Sequence, residues 1–251
     1  MVKNYSKKII GISSGKGGVG KTTFSINLSS ALYKLGVPNV IVDGDISNAN
    51  LSVQLGFKHN IPTIQDLMEE NLNPRYAIRI HSTGLRILPA AISLDRGDVD
   101  LKRIKKYLIP LQETLIIDFP PGVAKNTVDL MRACDELIIL TTPEVASLTD
   151  SLKTLDLARK YKKPIKGIVV NRAVKDKYEL SIDELQIMCE TKLLGVIPED
   201  KNVRRANFEC MPYVFRYPNS RAAIETMRIA SGLLSKPYCE PKLNFLKSFF
   251  N

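Results

Sequence analysis

The chain has 251 residues, of which 44% are hydrophobic, enough for one α/β domain with a single full core. Lysine and arginine number 36 against 26 aspartate and glutamate residues, so the net charge of +10 favours a polyanionic partner, either nucleic acid or an anionic membrane surface. The four cysteines lie far apart without a CxxC pair, which argues against a zinc or iron–sulfur site.

The sequence contains no segment typical of export or membrane insertion. Residues 1–8 are basic, but the apolar run after them has five residues, too short for the core of a signal peptide. No stretch approaches the roughly twenty apolar residues of a transmembrane helix. We therefore expect a cytoplasmic protein with reduced cysteines, whose contact with a membrane is peripheral and reversible.

Short apolar runs alternate with amphipathic segments along the chain. The runs predict strands at residues 9–13, 40–42, 85–88, 115–117, 137–140, 168–170 and 193–197. The amphipathic segments predict helices at residues 22–35, 100–108, 127–132, 146–161, 182–190 and 222–234. Continuous apolar strands are typical of a sheet buried on both faces. The expected fold is α/β, a doubly wound, mainly parallel sheet with helices on both faces and a ligand at the carboxyl ends of its strands.

A glycine-rich loop joins the first predicted strand to the first predicted helix. Residues 15–22 fit GxxxxGK[S/T], whose glycines let backbone N–H groups converge on phosphate oxygens. Lys21 supplies positive charge to the terminal phosphates, and Thr22 is the expected Mg²⁺ ligand. The helix that begins near Lys21 adds the positive end of its dipole. The predicted phosphate-binding residues are Gly15, Lys16, Gly17, Gly18, Val19, Gly20, Lys21, Thr22 and Thr23.

Polar residues follow several predicted strands and should line the same rim of the sheet. Asp118 ends an apolar strand, the setting of an acid that orients Mg²⁺ through water. Gly122 follows it and offers a backbone N–H that could sense the terminal phosphate. Asn171 follows a later strand, and its side-chain amide matches the edge of adenine, whereas the NKxD motif that selects guanine does not occur.

Lys16 places a second lysine in the loop, directly after its first glycine. One nucleotide is already served by Lys21, so a lysine at the exposed start of the loop could reach phosphates bound by a neighbouring copy. With it, the loop resembles the deviant Walker A signature KGGVGKT of the MinD/ParA family. The resemblance implies a P-loop ATPase that forms a homodimer around ATP, with the early lysine crossing the interface.

The resemblance also implies roles for the residues at the strand ends. Asp43 and Asp45 resemble the acids of switch I, with Asp45 positioning the attacking water and Asp43 supporting the metal shell. The stretch from Asp118 to Gly122 resembles switch II. The base-binding residues implied are Asn171 and Arg172, with Pro198 and Glu199 closing the pocket. The implied catalytic residues are Lys16, Lys21 and Asp45, and the cofactors are ATP or ADP with Mg²⁺.

The resemblance covers essentially the whole chain. Residues 42–51, 84–90, 195–200 with 203–206, and 217–220 look like MinD-type sequences, a set that generic P-loop proteins do not share. Iron–sulfur scaffold relatives would show a CxxC pair, and the nitrogenase iron-protein branch would show a cysteine shortly after switch II. Neither feature occurs in the sequence, so both branches are disfavoured.

The last residues, 238–251, form a predicted amphipathic tail after an ATPase domain at residues 1–237. The apolar residues at helical spacing are Leu243, Phe245, Leu246, Phe249 and Phe250. A short helix of this kind forms where its apolar face finds an interface, and MinD proteins end in a membrane-targeting helix. One tail should bind an anionic membrane weakly, while two tails of a dimer gain avidity. The alternative is a tail that packs on its own domain.

The preferred interpretation is a MinD-like ATPase that binds the membrane reversibly and helps to place the division site or a similar polar machine. The alternative is a ParA-like partition ATPase whose ATP-bound dimer binds DNA nonspecifically, although DNA is the less favoured partner. An activating or cargo protein is expected as well. Because no arginine finger is identifiable, hydrolysis should be slow until such a partner stimulates it.

Overall fold

The strands and helices of the described residues, 7–57, 62–91, 99–174 and 176–238, form one layered unit in this computed structural model. The strands are β1 (Ile9–Ser14), β2 (Asn39–Asp43), β3 (Arg79–Ile80), β4 (Arg86–Leu88), β5 (Thr114–Asp118), β6 (Glu136–Thr141), β7 (Ile165–Ala173) and β8 (Leu193–Pro198). The α-helices are α1 (Lys21–Lys34), α2 (Leu51–Gln54), α3 (Ile64–Glu69), α4 (Ile104–Leu108), α5 (Lys125–Ala133), α6 (Val145–Lys160), α7 (Ile182–Cys189), α8 (Lys201–Phe208), α9 (Tyr213–Arg216) and α10 (Arg221–Leu233). Short 3-10 helices lie at Pro74–Ala77, Leu101–Arg103 and Ile109–Leu111.

The described strands form a single sheet in the order β3-β4-β2-β5-β1-β6-β7-β8. Every neighbouring pair is parallel except β3 with β4. In the register, Asp118 lies opposite Ile12 of β1 and opposite Asp43 of β2. The ends of β1, β2 and β5 therefore meet at one rim, where the glycine-rich loop begins.

The core lies on both faces of the sheet because neighbouring residues of each strand point to opposite sides. Ile10 and Ile12 belong to an apolar cluster with residues of α1, α8, α9 and α10. Ile9 and Ile117 belong to another cluster, with residues of α3 to α7. Burial on both faces is what continuous apolar runs indicate. The predicted fold class, a doubly wound and mainly parallel α/β sheet, is confirmed.

Several short elements were not predicted. Strand β3 has two residues, and one of them, Ile80, is exposed, so no apolar run marks it. Helices α2, α3, α8 and α9 are four to eight residues long, too short for a clear helical period. The predicted helix at residues 100–108 begins instead with the 3-10 helix Leu101–Arg103.

The predicted membrane-binding tail lies almost entirely outside the described residues. Among the described residues, no helix has both the length and the apolar character needed to cross a bilayer. Residues 239–251, which include the five apolar residues Leu243, Phe245, Leu246, Phe249 and Phe250, lie outside the described residues. The tail and the domain boundary at residue 237 stay predictions.

Candidate nucleotide-binding site

The glycine-rich loop between β1 and α1 places two glycines, Gly18 (φ 81°) and Gly20, in the left-handed region of the backbone. Gly20, the residue before α1, has a φ of 87° in the left-handed region. A Cβ at Gly15 would lie 2.0 Å from the carbonyl carbon of Asp150, so the loop packs directly on α6. No side chain caps α1, which leaves its first N–H groups for an anion.

Three side chains of α1 converge on Asp118 at the end of β5. The hydroxyl of Thr22 donates to Oδ2 of Asp118 at 2.6 Å, and the hydroxyl of Ser25 donates to Oδ1 at 2.9 Å. Nζ of Lys21 lies 3.7 Å from the same Oδ1, and both charged groups are buried. Ser25 was not predicted, although its position three residues after Thr22 places it on the same helix face.

This donor set fits Mg²⁺. The Thr22 hydroxyl and the Asp118 carboxylate are hard oxygen donors that lie within 2.6 Å of each other. Mg²⁺ takes one or two such groups from a protein and completes its shell with waters and phosphate oxygens. Thr22 and Asp118, with Asp118 acting through water, are therefore the residues that would hold the ion.

Asp43 and Asp45 lie beside this cluster. The two carboxylate oxygens of Asp43 accept N–H groups of Asp45 and Leu51, at 3.2 Å and 3.3 Å. Burial, and then the neighbouring Asp118, raise the pKa of Asp43 well above its ordinary value. Burial also raises the pKa of Asp45, while the Lys21 ammonium opposes this shift. Asp45 therefore lies in the field of Lys21, and Asp43 holds the backbone on either side of it.

The base-side residues surround a cavity of about 280 Å³. Asn171, Arg172, Pro198 and Glu199 line it together with Gly18, Gly20 and Thr23 of the loop. Lining residues that were not predicted to bind the base include Phe24, Ile197, Asn207 and Tyr213. The volume is close to the lower end of the range for small-molecule sites, roughly 300 Å³.

Two of these residues also contact the loop. The amide of Asn171 donates to the carbonyl of Val19 at 2.8 Å. The guanidinium of Arg172 pairs with Glu199 at 2.9 Å and donates to the carbonyl of Gly18 at 3.4 Å. These hydrogen bonds join the end of β7 to the loop, and the amide nitrogen of Asn171 is used in one of them. Its contact with adenine stays a prediction.

Gly122 and Lys16 have partners within the chain. The Gly122 N–H, predicted to sense phosphate, donates to the carbonyl of Ser14 at 3.0 Å and so ties the segment after β5 to the end of β1. Nζ of Lys16 lies 3.2 Å from Glu144, and both side chains are partly exposed. An exposed ion pair contributes only about 0.2–1 kcal/mol, so Lys16 can leave Glu144 at little cost. Glu144, 128 residues away, was not predicted.

Comparison with known proteins identifies the family. A model of the ParA family, described as NUBPL iron-transfer P-loop NTPase, matches residues 5–234. An uncharacterised ATP-binding protein of Methanocaldococcus jannaschii is 36% identical over 245 residues, covering 96% of this chain and 92% of that protein. The septum site-determining protein MinD of Bacillus subtilis is 32% identical over 238 residues, covering 90% and 88%. The iron–sulfur cluster carrier protein of Helicobacter pylori is 31% identical over 251 residues, covering 93% and 68%.

Solved structures agree with this assignment. MinD of Pyrococcus horikoshii complexed with Mg-ADP has a TM-score of 0.85 at 31% identity, covering 91% of this chain and 96% of that one. A chain of the MinC:MinD cell division protein complex of Aquifex aeolicus has a TM-score of 0.81 at 26% identity, covering 94% and 98%. On the loop, the sheet order and these matches, the chain belongs to the ParA family of P-loop NTPases and is an ATPase of the MinD/ParA type.

Proposed function

We propose that this chain hydrolyses ATP as a MinD-like switch that dimerises around ATP, binds an anionic membrane in that state and takes part in placing a division site or similar polar machine. The observation that carries the proposal is the contrast between the loop's two lysines. Lys21 is buried against Asp118, whereas Lys16 lies at the exposed rim with a weak partner. One lysine suits the nucleotide of its own chain, and the other suits that of a second copy.

Different residues around the loop bind the phosphates, hold the metal ion and orient the attacking water. The loop N–H groups and Lys21 hold the phosphates, and Thr22 and Asp118 hold Mg²⁺. Bound Mg²⁺ supplies charge neutralisation at the terminal phosphate oxygens. Asp45 orients the attacking water, and Asp43 keeps Asp45 in place through its backbone contacts. Asn171 and Arg172, with Pro198 and Glu199, hold the base.

The relatives support the cell-division part of the proposal. Two of the matched proteins are named septum site-determining protein MinD and MinD complexed with Mg-ADP. The Aquifex aeolicus structure contains MinD with MinC, which supports a partner protein for a chain of this type. The net charge of +10 favours an anionic surface, and residues 238–251 supply the apolar contact.

A vesicle assay tests this proposal. The full chain and a chain ending at residue 237 are sedimented with vesicles containing anionic lipid, in the presence of Mg²⁺ and either ATP or ADP. The proposal predicts strong sedimentation only for the full chain with ATP. Equal binding in all conditions would overturn it. ATP-dependent, salt-sensitive retention of DNA by the chain that ends at residue 237 would favour the ParA-like alternative instead.

Iron transfer is a second candidate, favoured by the description of the family model and by the Helicobacter pylori relative. The sequence disfavours it, because its four cysteines include no CxxC pair. Cys134 and Cys189 are buried in the described part of the chain, and Cys239 lies outside it. Anaerobic reconstitution with iron and sulfide tests this candidate. A stable visible absorbance band, lost in Cys→Ser variants, would establish it at the expense of the leading proposal.

A further inference from the structure

The hydroxyl of Thr23, the residue after Thr22, accepts hydrogen bonds from two separate helices. Nε2 of Gln54, the last residue of α2, donates to it at 2.6 Å. Nδ2 of Asn207, on α8, donates to it at 3.4 Å. A hydroxyl has two acceptor positions and one hydrogen, so Thr23 can accept both of these bonds and still donate its hydrogen. Thr23 lines the base-side cavity, where a nucleotide would meet this donor.

The first of these bonds holds the segment that carries Asp45. Asp43 accepts the N–H of Asp45 with one oxygen and the N–H of Leu51, the first residue of α2, with the other. Helix α2 has four residues, too few to be stable in isolation, and its Leu51 packs in an apolar cluster with Ile26 of α1. Beyond that packing, hydrogen bonds hold residues 43–54 at one end through Asp43 and at the other through the contact between Gln54 and Thr23.

The second bond reaches the wall of the cavity. Asn207, on α8, lines the cavity together with Pro198 and Glu199. Its distance of 3.4 Å from Thr23 exceeds the usual 2.7–3.2 Å, so a small movement of α8 strengthens or breaks the contact. A base that fills the cavity would fix the position of α8. The contact between Asn207 and Thr23 would change as a result.

We infer that Thr23 couples the base-side cavity to residues 43–54, the segment that carries Asp45. Occupancy of the cavity positions this segment for hydrolysis, and Gln54 is the positioning residue. The inference rests on the proposed ATP hydrolysis and adds a source of substrate specificity to it. A triphosphate without a base binds the loop but leaves α8 unfixed. Such a substrate is turned over more slowly than ATP, although its phosphates meet the same residues.

The test compares two substrates in matched variants. Gln54→Met preserves the length of the side chain and removes its hydrogen-bond donor. Turnover is measured with ATP and with inorganic tripolyphosphate, both with Mg²⁺. We expect kcat for ATP to fall about three- to tenfold, the effect of one hydrogen bond, while kcat for tripolyphosphate changes less than about twofold. Asn207→Ala should also lower the ratio of kcat for ATP to kcat for tripolyphosphate. Val53→Ala, an exposed change on α2, should leave it unchanged.

The outcomes separate this inference from the function on which it rests. If the unmodified chain turns over no ATP, both fail. If it turns over ATP and Gln54→Met keeps the wild-type ratio of kcat for ATP to kcat for tripolyphosphate, the inference about Thr23 alone is wrong. A parallel fall with both substrates in Gln54→Met and Asn207→Ala would show a purely structural contact and would also overturn the inference.

Discussion

Replacing each loop lysine by alanine should affect the stability of the nucleotide-free protein very differently. Lys21→Ala removes the ammonium that lies 3.7 Å from the buried Asp118. Breaking a buried ion pair costs roughly 3–5 kcal/mol. The hydroxyls of Thr22 and Ser25 still donate to Asp118, so we take the lower value, about 3 kcal/mol. At about 2–4 °C per kcal/mol for a chain of this length, Tm should fall by roughly 6–12 °C.

Lys16→Ala is the matched comparison. Its side chain pairs with Glu144 while both are partly exposed, and such a pair contributes about 0.2–1 kcal/mol. Tm should therefore fall by less than about 4 °C. Lys105→Ala, which removes an exposed lysine 3.9 Å from Asp135, serves as a surface control with the same small effect.

The same thermal assay with ADP and Mg²⁺ measures nucleotide binding. At a ligand concentration of about 100 times Kd, binding adds about 2.7 kcal/mol, which raises Tm by roughly 5–11 °C. We expect this increase in the wild type and in Lys16→Ala, and its loss in Lys21→Ala. The reasoning is refuted if Lys16→Ala loses as much stability as Lys21→Ala, or if Lys21→Ala keeps the full response to ADP.

Four other substitutions, one of them a control, test the site. Asp45→Ala should keep ATP binding but lower phosphate release about 100-fold or more, because the attacking water loses its orienting group. Gly15→Ala should lower the Tm of the nucleotide-free protein, since its Cβ would lie 2.0 Å from the carbonyl carbon of Asp150, whereas Gly17→Ala meets open space and should keep that Tm. Asp43→Asn tests the raised pKa of Asp43. The charged form is disfavoured in the folded state, so the charge destabilises the protein at high pH; the destabilisation declines as pH falls below the folded pKa and is gone below the ordinary pKa of the unfolded chain. The Tm of Asp43→Asn minus that of the wild type should therefore shrink as pH is lowered from 8 toward 4.

Each of these expectations has a clear contrary result. Normal phosphate release by Asp45→Ala would exclude it from positioning the water. Equal Tm values for Gly15→Ala and Gly17→Ala would mean that the loop does not pack on α6 as described. A Tm difference between Asp43→Asn and the wild type that stays constant with pH would show that Asp43 titrates at its ordinary pKa.

The parts of the fold and site that local sequence could predict are those with a local physical cause. Strand β1 follows from an apolar run and helix α1 from the glycine-rich motif that precedes it, and the turn between them needs glycine at position 20. Asp118 was recognisable because it ends a buried apolar strand. Parallel pairing then brought Asp43 and Asp118 into register, as expected for strand ends on one rim.

The contacts that escaped prediction join residues far apart in the chain. Lys16 pairs with Glu144 across 128 positions, and Asn207 reaches Thr23 across 184. Neither pair has a spacing that a helix or strand would produce, so only the packing of α6 and α8 beside the loop brings them together. Gln54 was missed for a related reason, because α2 is too short to show a helical period.

The most direct test of the dimer switch is the solution mass of the chain with a non-hydrolysable ATP analogue and Mg²⁺, measured by light scattering after size exclusion. We predict that the mass doubles with the analogue, stays that of one chain with ADP, and stays that of one chain for Lys16→Ala under both conditions. A single-chain mass for the wild type with the analogue, or a doubled mass for Lys16→Ala, would contradict the role proposed for the exposed lysine.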